Sequence, residues 1–139
     1  MENLEKYNNL SKLVEKLKTS EDPKRKYEYI FWLGKKLKEP ESEILIEENK
    51  VKGCVSEVFV KANIKGGKLS WEGYSDALIT KGLLAFLISG LNELTPNEVV
   101  KINKQFIEDT GLKSSLTPSR SNGFLNILLK MQSQANEFL

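Results

Sequence analysis

The feature that most constrains this chain is a change of texture in its middle. Before Pro40 and after Tyr74, apolar residues recur at three- and four-residue steps. Between those points the pattern turns to a β-branched run, Val55-Ser56-Glu57-Val58-Phe59-Val60, followed by the glycine pair Gly66-Gly67. Helical periodicity at both ends and strand patterning between them reads as α+β: a small antiparallel sheet with helices covering one face.

The spacing of Leu4, Tyr7, Leu10, Val14 and Leu17 predicts an amphipathic helix from about 3 to 18. Asp22-Pro23 then restarts the chain: Asp accepts from orphan N–H groups, and Pro fits the first turn. Tyr27, Ile30, Phe31, Gly34 and Leu37 form the next stripe, ending before Pro40. Beyond the sheet, Ser75-Asp76 is positioned to cap an apolar helix from about Asp76 to Ser89, with Gly90 as its terminator. Thr95-Pro96-Asn97-Glu98 has the spacing of a capping box, which predicts a helix to about Asp109, before Gly111. The last helix starts near Thr117-Pro118 and carries Phe124, Leu125, Ile127, Leu128, Leu129 and Met131 inward. Gly82 and Gly123 interrupt helices, which points to close packing at those positions.

Three strands are predicted: Glu47 to Lys52, Val55 to Val60, and Lys68 to Tyr74. Gly66-Gly67 supplies the positive φ angles of a tight hairpin between the last two. Gly53-Cys54 falls at the tip between the first two. Trp32 and Trp71 lie in periodic segments and read as core or sheet-packing residues.

The chemistry is bounded by two counts: one cysteine and no histidine among 139 residues. A single thiol closes no internal disulfide. Without His or a second Cys, one chain holds no ordinary zinc site, no iron–sulfur cage and no Ser-His or Cys-His nucleophile pair. No phosphate-loop or dinucleotide glycine motif is present. A net charge of +2 is small for nucleic-acid binding, so Lys12, Lys16, Lys18 and Lys24-Arg25-Lys26 read as solvated faces. The longest apolar run, Leu83 to Ile88, is far short of the roughly 20 residues that span a bilayer. The start, Met1-Glu2-Asn3-Leu4-Glu5, lacks the pattern of a secretory leader, and the chain is expected to be cytoplasmic, away from membranes and nucleic acid. At this length a single domain, 1–139, is expected.

Cys54 is therefore the leading candidate for reactivity. At its reference pKa a thiol is roughly 3% thiolate at pH 7, and Lys50 and Lys52, alternating on one strand face, would raise that fraction. The competing reading is a small buried packing residue, the usual fate of a free Cys.

Four blocks in order carry a resemblance: Leu33-Gly34-Lys35-Lys36-Leu37; Glu48-Asn49-Lys50-Val51-Lys52-Gly53-Cys54-Val55-Ser56; Ser75-Asp76-Ala77-Leu78-Ile79-Thr80-Lys81-Gly82-Leu83; and Leu116-Thr117-Pro118-Ser119-Arg120-Ser121-Asn122-Gly123. Together they resemble the SufE/CsdE family of sulfur-acceptor proteins in iron–sulfur cluster assembly. The resemblance implies a two-layer SufE/NifU-like fold with a three-stranded antiparallel sheet and helices at both termini. It implies that Cys54 takes persulfide sulfur from a cysteine desulfurase of the SufS/CsdA type, stimulates that enzyme, and passes sulfur to a SufBCD-type scaffold. The pyridoxal phosphate belongs to the desulfurase, so no cofactor is expected on this chain.

Two further residues carry over by motif. Asp76 matches an acid near the cysteine loop that affects partner interaction, its other reading being a helix N-terminal charge. Arg120 matches a guanidinium implicated in docking the desulfurase; its other reading is a first-turn residue donating to a nearby carbonyl. An Arg at that end of a helix calls for a compensating contact. The chain departs from many relatives at Val55, where they have Gln, and at Phe59, where they have Trp; Glu57 lies between. A non-catalytic adaptor with a structural Cys54 is the alternative reading. A NifU/IscU-type scaffold is disfavoured, because one thiol cannot supply the ligands of a cluster unless two chains share them. A homodimer is compatible with the sequence.

Overall fold

The computed structural model describes residues 7–139. Leu4, the expected first turn of the first helix and the segment 1–5 read as lacking a secretory leader lie outside the described residues. In chain order come α1 (Asn8–Thr19), α2 (Pro23–Lys35), β1 (Val58–Lys65), β2 (Lys68–Ser75), α3 (Leu78–Leu91), α4 (Pro96–Lys101), α5 (Gln105–Asp109) and α6 (Pro118–Asn136), with short 3-10 turns at Ser42–Ile44, Glu47–Asn49 and Leu112–Ser114. The architecture is α+β, as expected, with α3 and α6 packed against a β-hairpin.

The local signals act as read. Asp22 accepts the Lys24 N–H at 3.0 Å, with Pro23 opening α2. Thr95 and Glu98 form a reciprocal capping box, and Thr117 caps α6 ahead of Pro118. Gly66 and Gly67 both take positive φ and join β1 to β2, which pair from Val58↔Ser75 to Lys65↔Lys68. Val58, Val60 and Ala62 of β1, with Leu69, Trp71 and Gly73 of β2, turn toward the helices.

The expected third strand is not there: the sheet has two strands. Glu47–Asn49 is a 3-10 turn, and Lys50 alone bridges to Phe59. The free edge of β1 is satisfied by other groups. Val51 N–H donates to Val58 O at 2.8 Å, after which the buried Gln134 side chain of α6 donates to Val60 O at 2.7 Å and accepts from Ala62 N–H at 2.8 Å. One amide thus takes the place of a stretch of strand. The edge of β2 is met at Leu69, which exchanges bonds with Glu93 and Leu94.

Helix ends also differ from expectation. Gly90 lies inside α3, because α1 crosses there: an added Cβ would come within 2.9 Å of Leu10 Cδ1. The expected 95–109 helix is broken into α4 and α5. Gln132 of α6 donates to the terminal carbonyls of Val99 and Ile102, and Asn103 accepts the Gln105 N–H to start α5. Gly82 does pack closely, as its helical position suggested. A Cβ there would be 2.1 Å from the Ile30 carbonyl oxygen, and Gly34 faces it across α2.

That flush contact turns Ile30 and Gly34 inward and leaves the other side of α2 outside. Trp32, expected in the core, is 47% exposed, stacked on Tyr29 and covered by the Lys36 ammonium. Tyr27 and Leu129 are likewise exposed, whereas Trp71 is buried. Lys26, read as part of a solvated cluster, is instead buried, and its ammonium donates to Leu17 O and Thr110 O, joining the C-terminal ends of α1 and α5.

Candidate functional site

Cys54 sits on a loop between the bridge at Lys50 and the start of β1. The loop is closed at its base by Val51 N–H to Val58 O. Gly53 has φ +82°, a conformation that favours glycine, and an added Cβ would be 2.6 Å from Asn126 Nδ2, displacing the amide that holds the loop. Three residues of α6 on one helical face hold the loop and the turn before it: Gly123 at the sulfur, Asn126 donating to Gly53 O at 3.1 Å, and Lys130 donating to Glu48 O at 2.7 Å.

The thiol is half-buried against the core, with its sulfur 3.8 Å from Gly123 O as a weak S–H donor. Burial pushes its pKa up from the ordinary thiol value. Lys50 and Lys52 therefore do not produce the thiolate-favouring setting expected of them; the strand that would have aligned them does not form.

Asp76 does not cap α3. The N-cap is Ala77 without a side-chain cap, and Asp76 Oδ1 accepts the Glu57 N–H at 3.1 Å while its own N–H donates to Glu57 O at 3.3 Å. It is a clasp on the C-terminal end of the cysteine loop. Arg120 makes neither ion pair nor side-chain hydrogen bond among the described residues, so the compensating contact expected of it is absent.

A cavity of about 400 Å³ brings these parts together, lined by Cys54, Val55, Ser56, Thr80, Thr117, Ser119, Arg120 and Gly123. Cys54 and Arg120 share it; Asp76 does not line it and acts on the loop from outside. Sequence reasoning took Gly123 as a packing residue and missed Thr80 and Asn126. The signal for Asn126 was its three-residue spacing from Gly123. Val55 is 86% exposed at the loop tip. No group of three or more His, Cys, Asp or Glu side chains converges among the described residues.

Residues 11–135 match the family model described as SufE, Fe-S metabolism associated domain. The chain belongs to the SufE family. An uncharacterised SufE-like protein of Synechocystis is 52% identical over 130 residues, 94% of this chain and 82% of that protein. The SufE-like protein 1, chloroplastic/mitochondrial, of Arabidopsis thaliana is 40% identical over 91% of this chain and 34% of its own length. A Plasmodium falciparum protein named cysteine desulfuration protein SufE is 34% identical over 94% of this chain and 56% of its own length. This chain thus spans only part of the latter two relatives. The solution structure of a hypothetical protein from Thermus thermophilus shares the fold, with a TM-score of 0.80 at 24% identity over 93% of this chain and 94% of that one. SufE membership places the chain in iron–sulfur metabolism with a sulfur-transfer role, in a family whose members partner cysteine desulfurases. No helix among the described residues is long and apolar enough to cross a membrane, and the Arabidopsis relative carries an organellar name in place of the cytoplasmic setting expected here.

Proposed function

We propose that this protein accepts sulfane sulfur on Cys54 from a pyridoxal-phosphate cysteine desulfurase, stimulates that enzyme by clearing its persulfide, and delivers the sulfur to a SufBCD-type scaffold. The observation that carries the reading is the shared pocket: the one sulfur nucleophile of the chain and an unpaired guanidinium line the same cavity on a loop fixed at its base. Transfer needs no histidine. The Cys54 thiolate attacks the outer sulfur of the donor persulfide, the new S–S bond forms as the old one breaks, and the donor thiolate leaves. Burial raises the pKa of the resting thiol and so favours its neutral form further, until docking opens the loop. In this reading Arg120 and Asp76 face the desulfurase, Arg120 as an available cation and Asp76 as the clasp whose release frees the loop.

Mass spectrometry after incubation with desulfurase, pyridoxal phosphate and cysteine tests it. One added sulfur on Cys54 is expected, and an unmodified chain beside a loaded control protein would sink the reading. The half-buried packing of Cys54 favours a second reading, a desulfurase adaptor with a structural cysteine. Cys54→Ser separates the two: as an adaptor it stimulates turnover like the wild type, as a carrier it does not.

A further inference from the structure

Loading reverses what Cys54 asks of its surroundings. The resting thiol directs S–H toward Gly123 O, 3.8 Å away. A persulfide adds a second sulfur at about 2.05 Å and is a stronger acid than its parent thiol, so near neutral pH the outer sulfur is an anion. A carbonyl oxygen repels it, and it needs hydrogen-bond donors instead.

Thr80, in the first turn of α3, is placed to be one. It lines the Cys54 cavity, is only 5% exposed, and makes no side-chain hydrogen bond among the described residues. Among the described residues no side-chain oxygen sealed from solvent lacks a partner, so the unpaired Thr80 hydroxyl keeps some access to solvent, and Thr80 lines the cavity. With no acceptor among the described residues, that hydroxyl is free to donate to a group held in the cavity. The unpaired Arg120 lines the same cavity, and α3 begins beside it with no side-chain cap, so the local potential favours negative charge.

We propose that the Thr80 hydroxyl donates a hydrogen bond to the outer sulfur of a Cys54 persulfide lying in this cavity. The proposal rests on the carrier reading of Cys54. The cavity has room for one more sulfur beside the existing side chains.

The test bypasses the desulfurase. Cys54 is loaded anaerobically with inorganic polysulfide, which transfers a sulfane sulfur to the thiolate and leaves a shorter polysulfide. Persulfide survival under dithiothreitol is then followed by mass spectrometry. Thr80→Val and Thr80→Ala are expected to lose the sulfur about tenfold faster than wild type, the scale of one hydrogen bond to a charged group, and Thr80→Ser to retain it. Alkylation of the unloaded thiol should be equal in all four proteins, a readout that general loosening of the pocket would move. Wild-type survival in Thr80→Ala, or no rescue by Thr80→Ser, overturns the proposal. Failure of the desulfurase to load wild-type Cys54 overturns the carrier reading alone, since polysulfide loading does not depend on it.

Discussion

At the scale of single residues, Cys54 joins two requirements that pull against each other. Transfer needs a thiolate, yet burial raises the pKa of the thiol and favours its neutral form. Alkylation of the folded protein is therefore expected to rise with pH through a midpoint above that of an unfolded-chain thiol, measured with iodoacetamide in native buffer and in urea. Coincident midpoints would contradict the burial argument. Stability follows with a definite sign. The folded pKa is raised, so the stabilising contribution is present below the unfolded thiol pKa and is lost as pH rises from there through the folded value. Cys54→Ser should remove that alkaline slope. The cysteine and its turn were legible from Gly53-Cys54, but its electrostatics were not. Lys50 and Lys52 suggest a thiolate-favouring strand face, whereas the thiol is governed by burial against the core and Gly123.

At the scale of elements, what ended a helix or a strand was set by groups far along the chain. Caps written within four residues, at Asp22 and Thr95, formed as read because both partners lie in one local segment, and α6 starts after Thr117 as expected. The third strand did not form because Gln134 satisfied the edge it would have covered. Gln134→Leu should therefore leave Ala62 N–H and Val60 O buried without partners, at about 1–3 kcal/mol each, and should accelerate exchange of the Ala62 amide. Urea unfolding with amide exchange checks both; unchanged protection at Ala62 would show that the edge does not depend on this side chain. The same logic explains the split between α4 and α5, where Gln132 takes the carbonyls that a continuous helix would have used internally.

At the scale of the whole molecule, α3 is the shared wall. α1 crosses it at Gly90 and α2 at Gly82, while β2 lies over it with Gly73 against Leu84 and Ile88. These glycines set interaxial distances, so adding one carbon is costly where backbone is the obstacle. Gly82→Ala would place Cβ 2.1 Å from the Ile30 carbonyl oxygen and should destabilise the fold by about 3 kcal/mol, read from the urea midpoint. A loss below about 0.5 kcal/mol would mean that α2 is free to shift. The α2–α3 contact also decides that Trp32 faces outward, a choice its periodic segment could not specify because it carries apolar residues on more than one side.

What the sequence by itself determined is the α+β class, the hairpin turn, the starts of α2, α4 and α6, the family and the solitary thiol on a glycine turn. All of these depend on residue type at short range or on motifs quoted in order. The tertiary structure alone decided that the sheet has two strands, that Asp76 clasps the cysteine loop in place of capping α3, that Lys26 is buried, and that Thr80, Arg120 and Gly123 meet around Cys54. Gly123 lies 69 residues from the sulfur it touches. Local propensity acts over a turn or two of chain, whereas the partner of a buried polar group is chosen by packing, which brings together whichever donors and acceptors the helices happen to face.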